Sequence, residues 1–288
     1  MKKITRILIV LLVCATSAWA VEQEETYTDL VPGQGMLDPA GLARLIQNND
    51  VRAMNNVALL WAKGYDGKQS YTEAMLWWKE AARRGYTVAM NNIGLLYANG
   101  HGVAQDFKQA LEWWHQSAFL GNAWAMNNVG DLYENGLGVE QSLSMAMTWY
   151  KSAAEQGEPL GMYNVGLLYE AGKGVARDDA EALSWFRKSA DKAYASAMHR
   201  IGAMYRDGRA VSADPVEALA WFRVADGRFS PQDADEAAQN HIQIEKLSRQ
   251  MGAAELERAL ERAKTIDAMT RPALSPAPKT TGSDGKAT

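Results

Sequence analysis

From Ala89 to Asn99, small or apolar residues recur at Ala89, Met90, Ile93, Gly94, Leu96 and Tyr97, one broad face at helical spacing. That spacing predicts a helix. Gly100-His101-Gly102-Val103 ends it, because glycine adopts the positive φ of a helix C-terminus at little steric cost. Asp106 then reads as the N-cap of a second helix running through Ala110, Trp113, Trp114 and Ala118, until Gly121 stops it. The unit is a helical hairpin.

The same pattern returns along the chain. Trp77-Trp78, Trp113-Trp114, Trp149-Tyr150, Trp185-Phe186 and Trp221-Phe222 share one register, as do Ala53-Met54, Ala89-Met90, Ala125-Met126, Gly161-Met162 and Ala197-Met198. Gly64, Gly100, Gly136, Gly172 and Gly208 keep the same step, about 36 residues, which is the period of a solenoid. One hairpin cannot cover its own apolar face, so the units must stack. Gly94, Gly130, Gly166 and Gly202 lie inside the first helices, where glycine costs about 1 kcal/mol relative to alanine, and they imply close backbone approach. The aromatic pairs are expected to fill the groove between consecutive hairpins.

Ala89, Asn92, Gly94, Tyr97, Gly100, Gly102 and Val103, followed by Asp106, Ala110, Trp113, Ala118 and Gly121, make a pattern that resembles the Sel-one-like (SLR) repeats, relatives of the tetratricopeptide repeats. The resemblance spans Ala53 to Ala225. It implies an all-α fold, a right-handed α-solenoid of five 36-residue helical hairpins with terminal capping helices. The first unit departs from the pattern at Trp61 and Asp66-Gly67, and the fifth at Arg200, Ala210 and Pro215, as end units do.

The expected organisation is a signal peptide over 1–20, an acidic flexible lead over 21–38 and an N-terminal capping helix over 39–52. Five repeats follow at 53–88, 89–124, 125–160, 161–196 and 197–228. Two capping helices occupy 229–269, and a disordered tail rich in Pro, Ser, Thr and Gly covers 270–288. Lys2, Lys3 and Arg6, the apolar run Ile7 to Val13 and Ala18-Trp19-Ala20 compose the leader. Cys14 could instead be a lipidated N-terminus, but Leu11-Leu12-Val13 lacks the small residue needed before it. Export to the periplasm is the expectation, with no membrane-spanning segment in the mature chain.

Charge narrows the partners. Thirty Lys plus Arg against 34 Asp plus Glu give a net charge of −4, and losing the leader makes the chain more acidic, so nucleic acid is excluded as a partner. Cys14 is the one cysteine, which removes disulfides and a thiol nucleophile from the mature protein. His101, His115, His199 and His241 have no metal-ligand spacing, and the Gly-x-Gly triplets are hairpin turns without the preceding strand of a phosphate loop. Neither a metal, a cofactor nor a catalytic residue is expected.

What remains is surface. By resemblance to tetratricopeptide arrays, the first helices line a concave groove, and their outward positions are Asn55, Asn91, Leu95, Asn127, Asp131, Glu134, Tyr163, Leu167, Glu170, His199 and Arg206. Amides, an aromatic ring and mixed charge suit an extended polypeptide. The expected function is a non-enzymatic exported adapter or regulator that binds a protein or peptide of the cell envelope in that groove. Two alternatives stand beside it: an immunity protein against a toxin acting in the periplasm, and a peptidoglycan- or glycan-directed protein using Asp131 and Glu134 as an acid–base pair.

Overall fold

The computed structural model describes residues 48, 50–64 and 69–271. The expected leader, acidic lead, most of the N-terminal capping helix and nearly all of the tail lie outside the described residues. Twelve α-helices make up the described chain: α1 Val51–Lys63, α2 Tyr71–Arg83, α3 Thr87–Asn99, α4 Phe107–Phe119, α5 Ala123–Asn135, α6 Leu143–Glu155, α7 Pro159–Ala171, α8 Asp179–Ala190, α9 Ala195–Asp207, α10 Pro215–Asp226, α11 Ala234–Gln250 and α12 Ala253–Met269. A 3₁₀ turn, Pro231–Asp233, precedes α11.

Each odd helix from α1 to α9 packs on the even helix after it, and each even helix on the next odd one, so five hairpins stack in chain order. The local chemistry repeats with them. Every first helix ends on a left-handed glycine, Gly64 to Gly208, with φ between 65° and 78°. Every second helix begins on Ser70, Asp106, Ser142, Asp178 or Asp214, whose side chain accepts backbone N–H groups of the first turn. The first helices lack such a shared start signal: Asp50, Tyr86, Asn122, Glu158 and Tyr194 precede them. That is why the hairpins begin two residues before the expected boundaries, and why Val51 and Arg52 belong to α1 rather than to a separate capping helix.

The two members of each aromatic pair divide their work. A Cβ added to Gly94 would sit 2.3 Å from the Trp114 ring, and at Gly130 it would sit 2.7 Å from Tyr150. Trp114 and Tyr150 therefore fill the seam inside their own hairpins, contrary to the expectation that the pairs lie between hairpins. The first member does lean across: Trp149 meets His115 of the preceding hairpin edge-on at 5.1 Å.

At the C-terminal end, α10 packs against both α11 and α12. Arg262 of α12 grips Glu217 of α10 through two bonds of 2.7 and 2.9 Å, and Arg228 reaches Asp267 at 2.7 Å. Trp221, whose equivalents Trp77, Trp113, Trp149 and Trp185 are half-buried, is buried here. Thr270 is buried and donates to the Ile266 carbonyl, so the cap runs two residues into the segment expected to be tail.

Candidate functional site: the first-helix face

The odd helices bring the expected site residues to one face, but that face is tighter than the sequence suggests. Asn55, Asn91 and Asn127 are buried, at 5%, 1% and 4% exposure. Their side-chain oxygens accept the amides of Asn92, Asn128 and Asn164, each on the next hairpin, at 3.3, 3.0 and 2.9 Å. Asn55 Oδ1 also accepts the indole N–H of Trp78 at 2.9 Å. The expected amide-rich groove wall is thus a ladder between hairpins, with its carbonyl oxygens occupied.

The next rung keeps the geometry with other side chains. Arg200 donates to the Tyr163 hydroxyl at 3.4 Å across the same offset of 37 residues. Tyr163 is buried against Phe186 and Tyr194, and burial, then the nearby Glu236, pushes its hydroxyl up to about 12. It is a core side chain, not an exposed groove residue. Leu95 and Asp131 are buried as well, and Leu167 is half-buried.

Glu134 and Glu170 form a second inter-hairpin row. Glu134 accepts Lys173 at 2.9 Å and the Tyr150 hydroxyl at 3.0 Å. Glu170 takes Arg209 at 2.6 Å and Arg200 at 3.4 Å. The sequence reading missed Lys173, Arg200 and Arg209, although Lys173 and Arg209 share one register of the repeat.

The C-terminal end of the face is covered by α11. Nδ1 of His199 lies 2.9 Å from Oδ1 of Asn240, Arg206 donates to Gln243 at 2.7 Å, and Ser196 donates to Glu236 at 2.6 Å. Arg206 also pairs with its neighbour Asp207 at 2.6 Å. Burial holds the His199 imidazole below its usual range, against the raising effect of the Asn240 bond. His199 and Arg206 anchor the cap and are not part of an open groove.

Along the remaining face, Leu59, Val88, Trp124, Leu160 and Leu167 stay half-buried. Val88, Trp124 and Leu160 share a register and precede the ladder asparagines by one helical turn, which places them on the same face. They lie one turn before the first position of the expected outward stripe, Asn55 and its equivalents. Glu158 accepts a hydrogen bond from Trp124, and burial raises its carboxyl. Asp131 is pushed up to about 7, first by burial and then by Glu134, against the lowering effect of the Asn135 amide. Among the described residues, no three His, Cys, Asp or Glu gather as metal ligands, and no helix is long and apolar enough to cross a membrane.

A comparison with curated proteins gave no match. Among solved structures, this chain is similar to c5321, a protective antigen of uropathogenic Escherichia coli displaying an SLR fold. The TM-score is 0.68 and the identity 26%, over 80% of this chain and 48% of that one, so the chain spans about half the antigen's length. A Sel1 repeat protein from Oxalobacter formigenes aligns at TM-score 0.61 and 24% identity, over 78% and 93% of the two chains. A weaker likeness, to the immunity protein Pa5087 of Pseudomonas aeruginosa, has a TM-score of 0.48 at 20% identity over 83% and 86%, too low to bear on function. The Sel1 repeat model matches five consecutive segments, 51–86, 87–122, 125–158, 159–194 and 195–225, and each begins at or within two residues of the start of an odd helix. With the five stacked hairpins and their repeated caps, these matches show that the chain belongs to the Sel1 repeat family, whose repeats are protein-interaction scaffolds.

Proposed function

We propose that this protein is an exported, non-enzymatic adapter or regulator that holds a segment of another cell-envelope protein along its first-helix face. One observation carries the reading: the half-buried apolar residues Leu59, Val88, Trp124, Leu160 and Leu167 flank an amide ladder in which the side-chain oxygens of Asn55, Asn91 and Asn127 already accept hydrogen bonds from the next hairpin. Such a surface gains by covering apolar side chains and leaves few polar groups to desolvate. The leader pattern of residues 1–20 supports export to the periplasm. A toxin acting in that compartment is one partner class consistent with this reading.

The glycan reading has one supporting feature, the raised Asp131 carboxyl. Against it, Asp131 is 8% exposed and Glu134 already holds Lys173 and Tyr150. A general acid must reach the leaving oxygen within hydrogen-bond distance.

The test is in-cell crosslinking from the full chain followed by mass spectrometry, with wild type compared with a Trp124→Ala, Leu160→Ala variant checked for folding by circular dichroism. One envelope protein recovered by the wild type and lost by the variant is the expected result. Equal recovery moves the partner to another surface. Recovery of cell-wall glycan alone favours the second reading. Cell fractionation with and without residues 1–20 tests export.

A further inference from the structure

Asp131 interrupts a row. At its register the other first helices carry Leu59, Leu95, Leu167 and Ala203, and a leucine there packs without polar cost. Asp131 is 8% exposed. Its Oδ1 accepts the Asn135 amide at 3.0 Å, whereas Oδ2 takes no hydrogen bond from the described residues and keeps some contact with solvent. The ion pairs of this face join Glu134 to Lys173, Glu170 to Arg200 and Arg209, and Arg206 to Asp207. Unlike Glu134 and Glu170 in the neighbouring register, Asp131 is paired with no cation among the described residues.

A buried carboxylate with one hydrogen bond costs several kcal/mol, about what a charge-assisted partner would return. The surroundings state the partner's chemistry. Leu95 lies one hairpin before Asp131 and Leu167 one hairpin after, in the same register, so leucines flank the carboxylate's position on the neighbouring helices, Leu167 half-buried and Leu95 nearly covered. Lysine and arginine combine a methylene stem that packs on leucine with a charged head that donates to a carboxylate.

We propose that Asp131 is the specificity-determining residue of the first-helix face: its free oxygen accepts a lysine or arginine of the bound polypeptide, whose methylenes lie between Leu95 and Leu167. This deepens the reading of that face as a protein-binding surface and rests on it.

The probes are fluorescein-labelled extended peptides of Leu and Ala around a central lysine, and the same peptides with acetyl-lysine or norleucine there. Fluorescence anisotropy measures their binding to the full chain and to its Asp131→Leu and Asp131→Asn variants. The wild type is expected to prefer lysine over acetyl-lysine by about tenfold, the scale of one charge-assisted hydrogen bond. Both variants lose that preference. Thermal unfolding supplies the structural control: Asp131→Leu unfolds at a higher temperature than wild type, because leucine is the residue its neighbours carry. Lysine and acetyl-lysine peptides bound alike, no peptide bound by the wild type, or a less stable Asp131→Leu that keeps the preference would each overturn the assignment. Crosslinking separates this failure from that of the adapter reading. A partner recovered equally by wild type and Asp131→Leu leaves the adapter standing without this residue, whereas a wild type that recovers no protein removes the adapter.

Discussion

Asn91 does two jobs with two oxygens. Its backbone carbonyl accepts the Trp114 indole at 3.0 Å, and its side-chain oxygen accepts Asn128 of the next hairpin at 3.0 Å. Helical spacing gave its direction correctly and its exposure wrongly, because a helical wheel shows which way a side chain points and not how near the next hairpin comes. Asp131 was mislaid for the same reason, and its burial makes a testable statement about pH. Its carboxyl ionises near 7 when folded but near 3.8 when unfolded, so the folded state holds the proton more tightly. The wild type therefore loses stability as pH rises from about 4 to about 7, since ionisation favours the unfolded chain. Asp131→Leu lacks that slope. Urea unfolding of both proteins across this window is expected to show the variant's advantage growing with pH, by on the order of 4 kcal/mol between pH 4 and above pH 7.

At the scale of the element, the hairpin was legible because its punctuation repeats. The glycine stops and the Ser or Asp starts were visible in the sequence, and the structure uses them as capping groups. Less visible was which aromatic of each pair goes where, since both are large and only the opposing glycine tells them apart. Gly130→Ala drives a Cβ to 2.7 Å from the Tyr150 ring, and chemical denaturation is expected to register a loss of about 1–3 kcal/mol. The turns between hairpins give the opposite experiment. Gly85, Gly121 and Gly157 adopt positive φ with open space around the missing Cβ, and Ala193 holds the same conformation at φ 66°. Ala193→Gly relieves a left-handed alanine, which costs roughly 1–2 kcal/mol, and gives part of that back as unfolded-chain entropy. A net gain of about 0.5 kcal/mol, seen as a small rise in Tm, is the expected outcome.

For the whole molecule, the period of the sequence predicted the stack, and the two charged helices after it were legible as a cap. How the cap seats was not, because Arg262 and Glu217 lie 45 residues apart with no repeat to relate them. α11 continues the polar contacts of the odd helices through Asn240 and Gln243, while α12 lies along α10 and covers Trp221. Deleting residues from 234 onward removes both cap helices, uncovers that tryptophan, leaves Glu217 without Arg262 and frees His199 and Arg206 of Asn240 and Gln243. Lower thermal stability and concentration-dependent self-association in sedimentation velocity are the expected results. The reason reaches beyond the missing helices. A row of like units, each shaped to receive the next, presents at its open end the same seat that it fills everywhere else, and head-to-tail addition of further molecules through such a seat has no natural stopping point. By turning back across its own last hairpin, the chain puts a dissimilar helix in that seat and makes its length a property of the gene rather than of the concentration.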